Sequence, residues 1–208
     1  MRRLIATLFL FLLLPCSASI ARADNHGTGL AAQALARLGR HAAVRADFEQ
    51  QRSNPALDKP QTSRGQLLFV LGHGMLWQTR SPYRETLAFA GGRVSRIDAQ
   101  GAAHAAQGPG GMAQVSDMLQ ALLAGRLDEV RRQFAVSASG TPGQWTLQLV
   151  PKQARVARVL DGITLDGGDF LQRLRITMHD GGGTDIRFSR AREAGPLDAQ
   201  EKRALGLP

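Results

Sequence analysis

The chain contains 208 residues, of which 26 are Lys or Arg and 17 are Asp or Glu, and its formal net charge is +9. Its single cysteine, Cys16, excludes a scaffold of intrachain disulfides and a zinc site built from several thiolates. The positive charge is scattered and only 5% of the residues are aromatic, which argues against a nucleic-acid surface. Affinity for anionic lipid headgroups and an ordinary solvated arginine surface remain as explanations of the charge.

The N-terminus has the pattern of a secretory signal peptide. Arg2 and Arg3 form a basic start, residues 4–14 are almost wholly apolar, and the run Ala21-Arg22-Ala23 places small residues at the two positions that signal peptidase recognises. We therefore predict a signal peptide over residues 1–23, export, and a mature single domain over residues 24–208. Loss of the signal removes three arginines and no acidic residue, so the net charge falls from +9 to +6.

Two other fates of the N-terminus are less well supported. The apolar stretch is short for a permanent helix that spans the bilayer. Lipid modification of Cys16 favours a small residue just before the cysteine, where this chain has Pro15. Cleavage after Ala23 also leaves a mature chain without cysteine, and hence without a thiol nucleophile.

The mature chain opens with a helix, a strand and a loop. Apolar residues recur at helical spacing over 28–40, and Thr28 is a suitable N-cap. Residues 44–50, "VRADFEQ", alternate between apolar and polar, which is typical of a half-buried strand. Residues 53–63 contain two prolines among polar residues and are interpreted as a loop.

A hairpin follows. Residues 64–71 and 74–80 are two apolar runs separated by a turn at Gly72-His73-Gly74. If the turn preserves the register, the odd-numbered residues of both runs share one face of the sheet. Residues 85–94 add another strand, with a glycine turn at 91–92.

The middle of the chain returns to helical periodicity. Residues 99–111 are rich in Ala, Gln and Gly and are expected to cross flexibly to a helix over 111–124, which Gly125 ends. Residues 127–134 predict a short helix that runs into a strand.

The remainder alternates as an antiparallel meander, with glycine turns at 166–169 and 179–183. Each strand is expected to be apolar on one face only, and the two amphipathic helices are available to cover that face. The pattern predicts an α+β fold in which a twisted antiparallel sheet is covered by a helical lid.

Catalytic and metal-binding patterns are weak throughout. The histidines do not occur at the spacing of helical metal ligands, and the nucleophile motif Gly-x-Ser-x-Gly is missing from the sequence. Residues 179–185, "HDGGGTD", join two predicted strands and are better explained as a hairpin turn than as a phosphate loop. Residues 108–112, "GPGGM", precede a helix but lack a following lysine. We therefore predict no enzyme activity, no cofactor and no metal.

Several motifs together resemble the periplasmic outer-membrane lipoprotein carrier family, the LolA-like proteins. They are "VRADFEQ", a strand ending in Leu-Trp followed by a Pro-aromatic turn, "VSDMLQALLAGRLDEVRRQF", "WTLQLVPK" and "GGDFLQRLRITMHDGGGTDIRF". Each motif is weak alone, but their order over residues 28–190 and the export signal make the set moderately specific.

The resemblance implies an incomplete, unclosed antiparallel β-barrel covered by a helical lid. It also implies an apolar cavity that takes up the acyl chains of lipoproteins or lipids. Such a carrier moves its cargo from an inner-membrane donor complex to an outer-membrane acceptor, and we expect it to be a monomer. The residues expected to line the cavity are Phe48, Leu67, Phe69, Leu71, Met75, Trp77, Leu87, Phe89, Met118, Leu122, Trp145, Leu147, Leu174, Ile176 and Met178.

One departure from the family pattern bears on the cargo. Lipoprotein carriers have an arginine-proline pair in the strand before the tryptophan, and that arginine bonds to the lid; here the pair is replaced by Leu71-Gly72. Either the lid is held differently, or this is a divergent paralogue that carries a glycolipid or polyene lipid. An exported enzyme acting on envelope lipids and an adaptor for an envelope protein are the alternatives from other functional classes.

Overall fold

A computed structural model of the protein describes residues 24–106, 117–118, 120–122 and 126–208. The helices are α1 (Asp24–Leu38), α2 (Leu127–Gln133), α3 (Ala154–Ala157) and α4 (Ala199–Ala204), and residues 117–118 and 120–122 are also helical. The strands are β1 (Ala43–Ser53), β2 (Gln61–Val70), β3 (Gly74–Ser81), β4 (Glu85–Ala90), β5 (Arg93–Ile97), β6 (Ala103–Ala105), β7 (Phe134–Thr141), β8 (Gln144–Pro151), β9 (Leu160–Gly167), β10 (Leu171–Met178) and β11 (Gly183–Glu193). The predicted signal peptide and most of the predicted lid helix lie outside the described residues.

The strands form one eleven-stranded antiparallel sheet in the order β6-β5-β4-β3-β2-β1-β11-β10-β9-β8-β7. Each half of this order is a meander in which strands adjacent in sequence are adjacent in space. The two meanders join where β1 pairs with β11, for example at Phe48 and Phe188. Strands β6 and β7 form the two edges, so the sheet is unclosed. The predicted α+β architecture is therefore confirmed.

The main core lies between one face of the sheet and the helices. Ala31, Ala34 and Leu35 of α1 are buried there, because their helical spacing puts them on one side of α1. Helix α1 packs against β7 and β8. In the lid region, Leu122 is 1% exposed and belongs to the same cluster. Helices thus cover this inner face, as the alternating pattern predicted.

The opposite, outer face of β2 to β5 is also apolar, which corrects the expectation of one-sided strands. Outward-facing side chains there form a second buried cluster around Leu205, comprising Leu68, Val70, Leu76, Ala88 and Ile97. Consecutive residues of a strand point to opposite faces, so the unbroken run "LLFV" of β2 is buried on both sides. A C-terminal arm, residues 194–208 with α4 at its centre, covers this outer cluster.

Two boundaries also differ from the predictions. Helix α1 begins at Asp24, so Thr28 lies inside the helix and is not its N-cap. The segment expected to cross flexibly over 99–111 contains the short strand β6, which pairs with β5 through Ser95 and Ala105. An Ala-rich run carries little alternation, so neither feature has a strong sequence signal.

Candidate apolar ligand site

An aromatic pair on β1 and β3 lies on the inner face of the sheet. The rings of Phe48 and Trp77 stack with their centroids 3.8 Å apart. Gly65 on β2, which lies between these strands, makes the stacking possible. A Cβ at Gly65 would lie 2.7 Å from the Phe48 ring and 1.9 Å from the Gln78 carbonyl oxygen, closer than atoms can approach. Glycine at this position therefore leaves room for both aromatic rings.

A smaller cavity of about 70 Å³ lies beside the Trp77 ring of this pair. Its walls are almost entirely apolar and come from the end of α1, the inner face of β1 to β3, and the inner face of β10 and β11. The lining residues are Leu38, His41, Val44, Ala46, Leu67, Phe69, Met75, Trp77, Phe170, Leu171, Leu174, Ile186, Phe188 and Ala191. The cavity lies where the two meanders join.

Contacts between the end of α1 and the β9–β10 turn close the smaller cavity on one side. Arg37 Nη1 donates to Asp169 Oδ1 over 2.7 Å. The His41 ring stacks on Phe170 with a centroid distance of 4.3 Å, and its Nε2 donates to the Asp169 carbonyl oxygen over 3.1 Å. Its Nδ1 lies 2.5 Å from Oε1 of Glu193. A ligand that entered from this side would have to displace the turn or the helix end.

A larger cavity of about 990 Å³, as bounded by the described residues, lies beside α2 and the far ends of β9 and β10. Its walls are mainly apolar and include Val130, Phe134, Val156, Val159, Leu160, Ile163, Ile176 and Met178, with Met118 and Ala121 on the lid side. Charged side chains occur at its rim, on Arg52, Asp117, Glu129 and Asp180. This arrangement suits a long apolar molecule whose polar end remains in water.

One side chain holds the helical residues 117–118 and 120–122, here called the lid segment, to the sheet. Gln120 Oε1 accepts a hydrogen bond from the Gly72 backbone N–H over 2.8 Å, and Gln120 Nε2 donates to the Val70 carbonyl oxygen over 3.2 Å. These two backbone groups flank Leu71, the position of the family arginine. The bonds therefore run from a lid side chain to the sheet backbone, the reverse of the arrangement that the family pattern implies.

The structure divides the predicted lining residues into three groups. Leu67, Phe69, Met75, Trp77 and Leu174 border the smaller cavity, and Met118, Ile176 and Met178 border the larger one. The remaining residues pack in the inner core without bordering either cavity: Phe48, Leu71, Leu87, Phe89, Leu122, Trp145 and Leu147. Their role in binding a ligand stays a prediction.

Sequence reasoning missed one wall of the larger cavity. Val156 and Val159 border it, yet neither lies in an alternating strand. The two valines are three residues apart in "ARVARVL", which puts them on the same side of a helical turn. This spacing was the sequence pattern that could have indicated an apolar wall. His41 and Phe170 were also missed, since each lies in a short connection between elements.

Within the described part of the chain, no helix is long and apolar enough to cross a membrane. Nor does any group of three His, Cys, Asp or Glu side chains in that part lie close enough together to hold a metal ion.

The sequence profile described as "Outer membrane lipoprotein carrier protein LolA-like" matches residues 25–184. The chain belongs to this family. The unclosed antiparallel sheet with helices on its inner face agrees with that membership, and LolA-like proteins are carriers.

The LolA-like chain is similar to three solved structures at low sequence identity. A LolA superfamily protein from Nitrosomonas europaea is 9% identical, with a TM-score of 0.48 over 84% of this chain and 96% of that chain. MucB of the Pseudomonas aeruginosa MucA/MucB complex is 12% identical, with a TM-score of 0.49 over 82% of this chain and 59% of that chain. A putative outer membrane lipoprotein-sorting protein domain from Vibrio parahaemolyticus is 12% identical, with a TM-score of 0.41 over 86% of this chain and 98% of that chain. No curated protein sequence matches the chain.

Proposed function

We propose that this LolA-like protein binds acyl chains of lipoproteins or other lipids and carries them through the periplasm from the inner to the outer membrane. In this proposal residues 1–23 are the signal that directs export. The observation that carries the proposal is the larger cavity of about 990 Å³ beneath the lid segment, with its apolar walls. Its volume lies at the upper end of the ~300–1,000 Å³ typical of sites for small apolar ligands.

The energetics support carriage by such a cavity. Transfer of an acyl chain from water to an apolar environment is favourable by about 0.8 kcal/mol per methylene. A carrier must also release its cargo, which requires that lid contacts are exchanged for lipid contacts. Gln120 holds the lid segment to the Gly72 turn by two hydrogen bonds, and Leu122 packs in the inner core; a bound acyl chain can replace both kinds of contact. Methionines such as Met118 and Met178 adapt to varied chains because their thioethers are flexible.

The cavity is tested by paired substitutions on β10. Ile176 borders the larger cavity, whereas its neighbour Thr177 faces the outer side of the sheet. Ile176→Trp is expected to narrow the cavity beside β10 and to weaken binding of a fluorescent fatty-acyl probe about tenfold. Thr177→Trp adds the same side chain outside and should leave affinity unchanged. Equal affinities for both folded variants and the unsubstituted protein would contradict the proposed site.

The cargo is identified by native mass spectrometry of protein purified from its own periplasm, followed by lipid extraction. A bound lipopeptide or lipoprotein would support lipoprotein carriage. Glycolipid or polyene lipid would support the divergent paralogue, which the replacement of the arginine-proline pair by Leu71-Gly72 favours. Turnover of an added envelope lipid without stoichiometric binding would instead support the enzyme alternative.

A further inference from the structure

The chain from Val150 to Val159 carries an unusual combination of side chains. Within "VPKQARVARV" the basic residues Lys152, Arg155 and Arg158 recur at intervals of three, and no acidic residue occurs between Trp145 and Leu160. All three basic side chains are exposed. Val150 and Val159 are 51% and 58% exposed, which is high for large apolar residues. We call residues 150–159 the basic corner.

The structure positions the basic corner at the mouth of the larger cavity. Val156 and Val159 are part of the cavity wall. Helix α3, within the corner, packs against β8 and β9. Lys152 ties the corner to the end of α2 by two hydrogen bonds. Its Nζ donates to the Arg131 carbonyl oxygen over 2.7 Å, and its backbone N–H donates to the Gln133 carbonyl oxygen over 2.9 Å. The corner is thus fixed beside the opening, with the exposed Val150 and Val159 at its two ends and the three basic residues between them.

The charge of the corner is not neutralised locally. Among the described residues, Arg155, Arg158 and Lys152 form no ion pair with a carboxylate, whereas the nearby Arg126 and Arg131 pair with Glu129 and Asp128 of α2. The acidic residues of the rim are Asp117 on the lid segment, Glu129 on α2, which pairs with Arg126, and Asp180 in the β10–β11 turn. Lys152, Arg155 and Arg158 therefore form a run of cations beside the mouth of the cavity, along the end of β8 and α3.

We propose that the basic corner docks on a bilayer surface rich in anionic phospholipid headgroups and so brings the mouth of the larger cavity against the membrane. Basic side chains that flank apolar ones are suited to an interface, because the cations contact headgroup phosphates while the apolar groups enter the acyl boundary. An acidic patch on a protein would satisfy the cations but would leave Val150 and Val159 without apolar surroundings. The bilayer is therefore the better match to both features. The purpose of docking rests on the proposed function, but the docking itself does not require it.

Vesicle binding with charge-matched variants tests the proposal. The purified protein is mixed with phosphatidylglycerol-containing vesicles and with pure phosphatidylcholine vesicles, and the bound fraction is measured by flotation. The test variant replaces Lys152, Arg155 and Arg158 by Gln. The control replaces Lys59, Arg84 and Arg93 by Gln, three exposed residues that likewise form no ion pair in the described part of the chain. Each variant loses one lysine and two arginines.

If the basic corner docks on membranes, the protein should bind the anionic vesicles more tightly than the phosphatidylcholine vesicles, and added salt should weaken that binding. Each basic residue near an anionic surface contributes roughly a fivefold increase in partitioning, so the test variant should bind on the order of 100-fold more weakly and the control far less so. Val159→Ser should weaken binding without changing the charge. Equal losses in the two charge variants, or no binding of the unsubstituted protein to anionic vesicles, would overturn the proposal; the second result would favour an acidic protein partner.

Two further measurements keep docking separate from folding and from cargo binding. Thermal melts check that the exposed substitutions leave the fold intact, and the double Arg155→Gln, Arg158→Gln variant retains the Lys152 contacts if the triple variant melts early. Affinity for the soluble fatty-acyl probe is measured in parallel and should be unchanged in both charge variants. Loss of vesicle binding with retained probe binding supports docking. Failure of the probe to bind even the unsubstituted protein would contradict the proposed function alone.

Discussion

Trp77 can separate packing from ligand binding, because its ring stacks on Phe48 and also borders the smaller cavity. The side chain is 4% exposed. Truncation of a wholly packed tryptophan lowers the free energy of unfolding by about 3–5 kcal/mol, and a ring that borders a cavity should cost less. We predict that Trp77→Ala lowers both stability and probe affinity, measured by urea denaturation and by titration of the folded variant.

Leu147→Ala is the matched control for Trp77. Leu147 is 0% exposed and borders neither cavity. Its truncation should cost about 2–5 kcal/mol of stability while affinity for the probe stays the same. If folded Trp77→Ala protein binds the probe normally, Trp77 serves packing alone and the ligand role of this region is wrong.

Gln120 is predicted to set how readily the lid segment leaves the sheet. Gln120→Leu keeps a similar volume but removes both hydrogen bonds to the Val70–Gly72 turn, at a cost of about 1–3 kcal/mol for the pair. The lid segment should then open more often, so uptake of the probe should accelerate in stopped-flow measurements. The exposed, outward-facing Gln148 provides the control, since Gln148→Leu should leave the uptake rate unaltered. An unchanged rate for Gln120→Leu would show that the bonds do not limit opening.

At the scale of elements, one ion pair joins the C-terminal arm to β1, in addition to the apolar contacts around Leu205. Arg45 Nη1 and Nη2 donate to the two carboxylate oxygens of Glu201 over 2.6 and 2.8 Å, and both side chains are largely buried, at 17% and 9% exposed. Glu201→Ala leaves the Arg45 charge without its partner and should cost about 2–3 kcal/mol of stability. Probe affinity should be retained, because the arm covers the outer face.

The double variant Arg45→Met, Glu201→Leu tests the cause of that loss. Apolar replacements remove both buried charges together, so most of the lost stability should return. Urea denaturation of the two single variants and the double variant gives the coupling energy directly. A double variant as unstable as the sum of the single ones would mean that the pair is not coupled and that the arm is held by Leu205 and its apolar neighbours.

The elements that were predicted well have a strong local signal. The β2–β3 hairpin pairs Leu67 with Trp77 and Phe69 with Met75, as the alternation required. The arm was missed because its few apolar residues, such as Leu197 and Leu205, show no period over a short segment. The "LLFV" run in β2 was the available sign that this strand is buried on both faces.

The candidate site was only partly predictable for a different reason. Alternation reports which face of a strand is apolar, and this correctly brought Trp77, Leu147 and Leu174 into one inner core. It does not report whether a neighbouring element fills the space above each residue. Packing by α1 buries some inner-face residues, whereas Ile176 remains open to a cavity. That distinction depends on contacts between elements far apart in sequence.

At the scale of the whole molecule, acid should lower the stability of the protein through its ion-paired carboxylates. A hydrogen bond from Arg173 lowers the pKa of Asp185 below its ordinary value of 3.8, one from Arg64 lowers the pKa of Glu49, and one from His104 lowers the pKa of Asp98. Because these pKa values are lower in the folded state, the unfolded state binds more protons at any pH between the folded pKa and the ordinary pKa. Stability is therefore complete above the ordinary pKa values and falls as the pH drops through the folded ones.

Urea denaturation at a series of pH values checks this dependence. The free energy of unfolding should be level with respect to these groups at neutral pH and should decline below about pH 4. Asp185→Asn should be less stable at neutral pH and should show a shallower decline in acid. Stability that rises on acidification below pH 4 would contradict the assignment.

The junction of the two meanders has a consequence for the order of folding. Strand β1 pairs with β11, and the intervening chain contains all the other strands. A nascent chain can form each meander locally, but the middle of the sheet is completed only after β11 has been synthesised. Contacts between such distant segments form slowly. Until then strands β1 and β10 each keep an unpaired edge, so a chain that ends before β11 cannot complete the sheet.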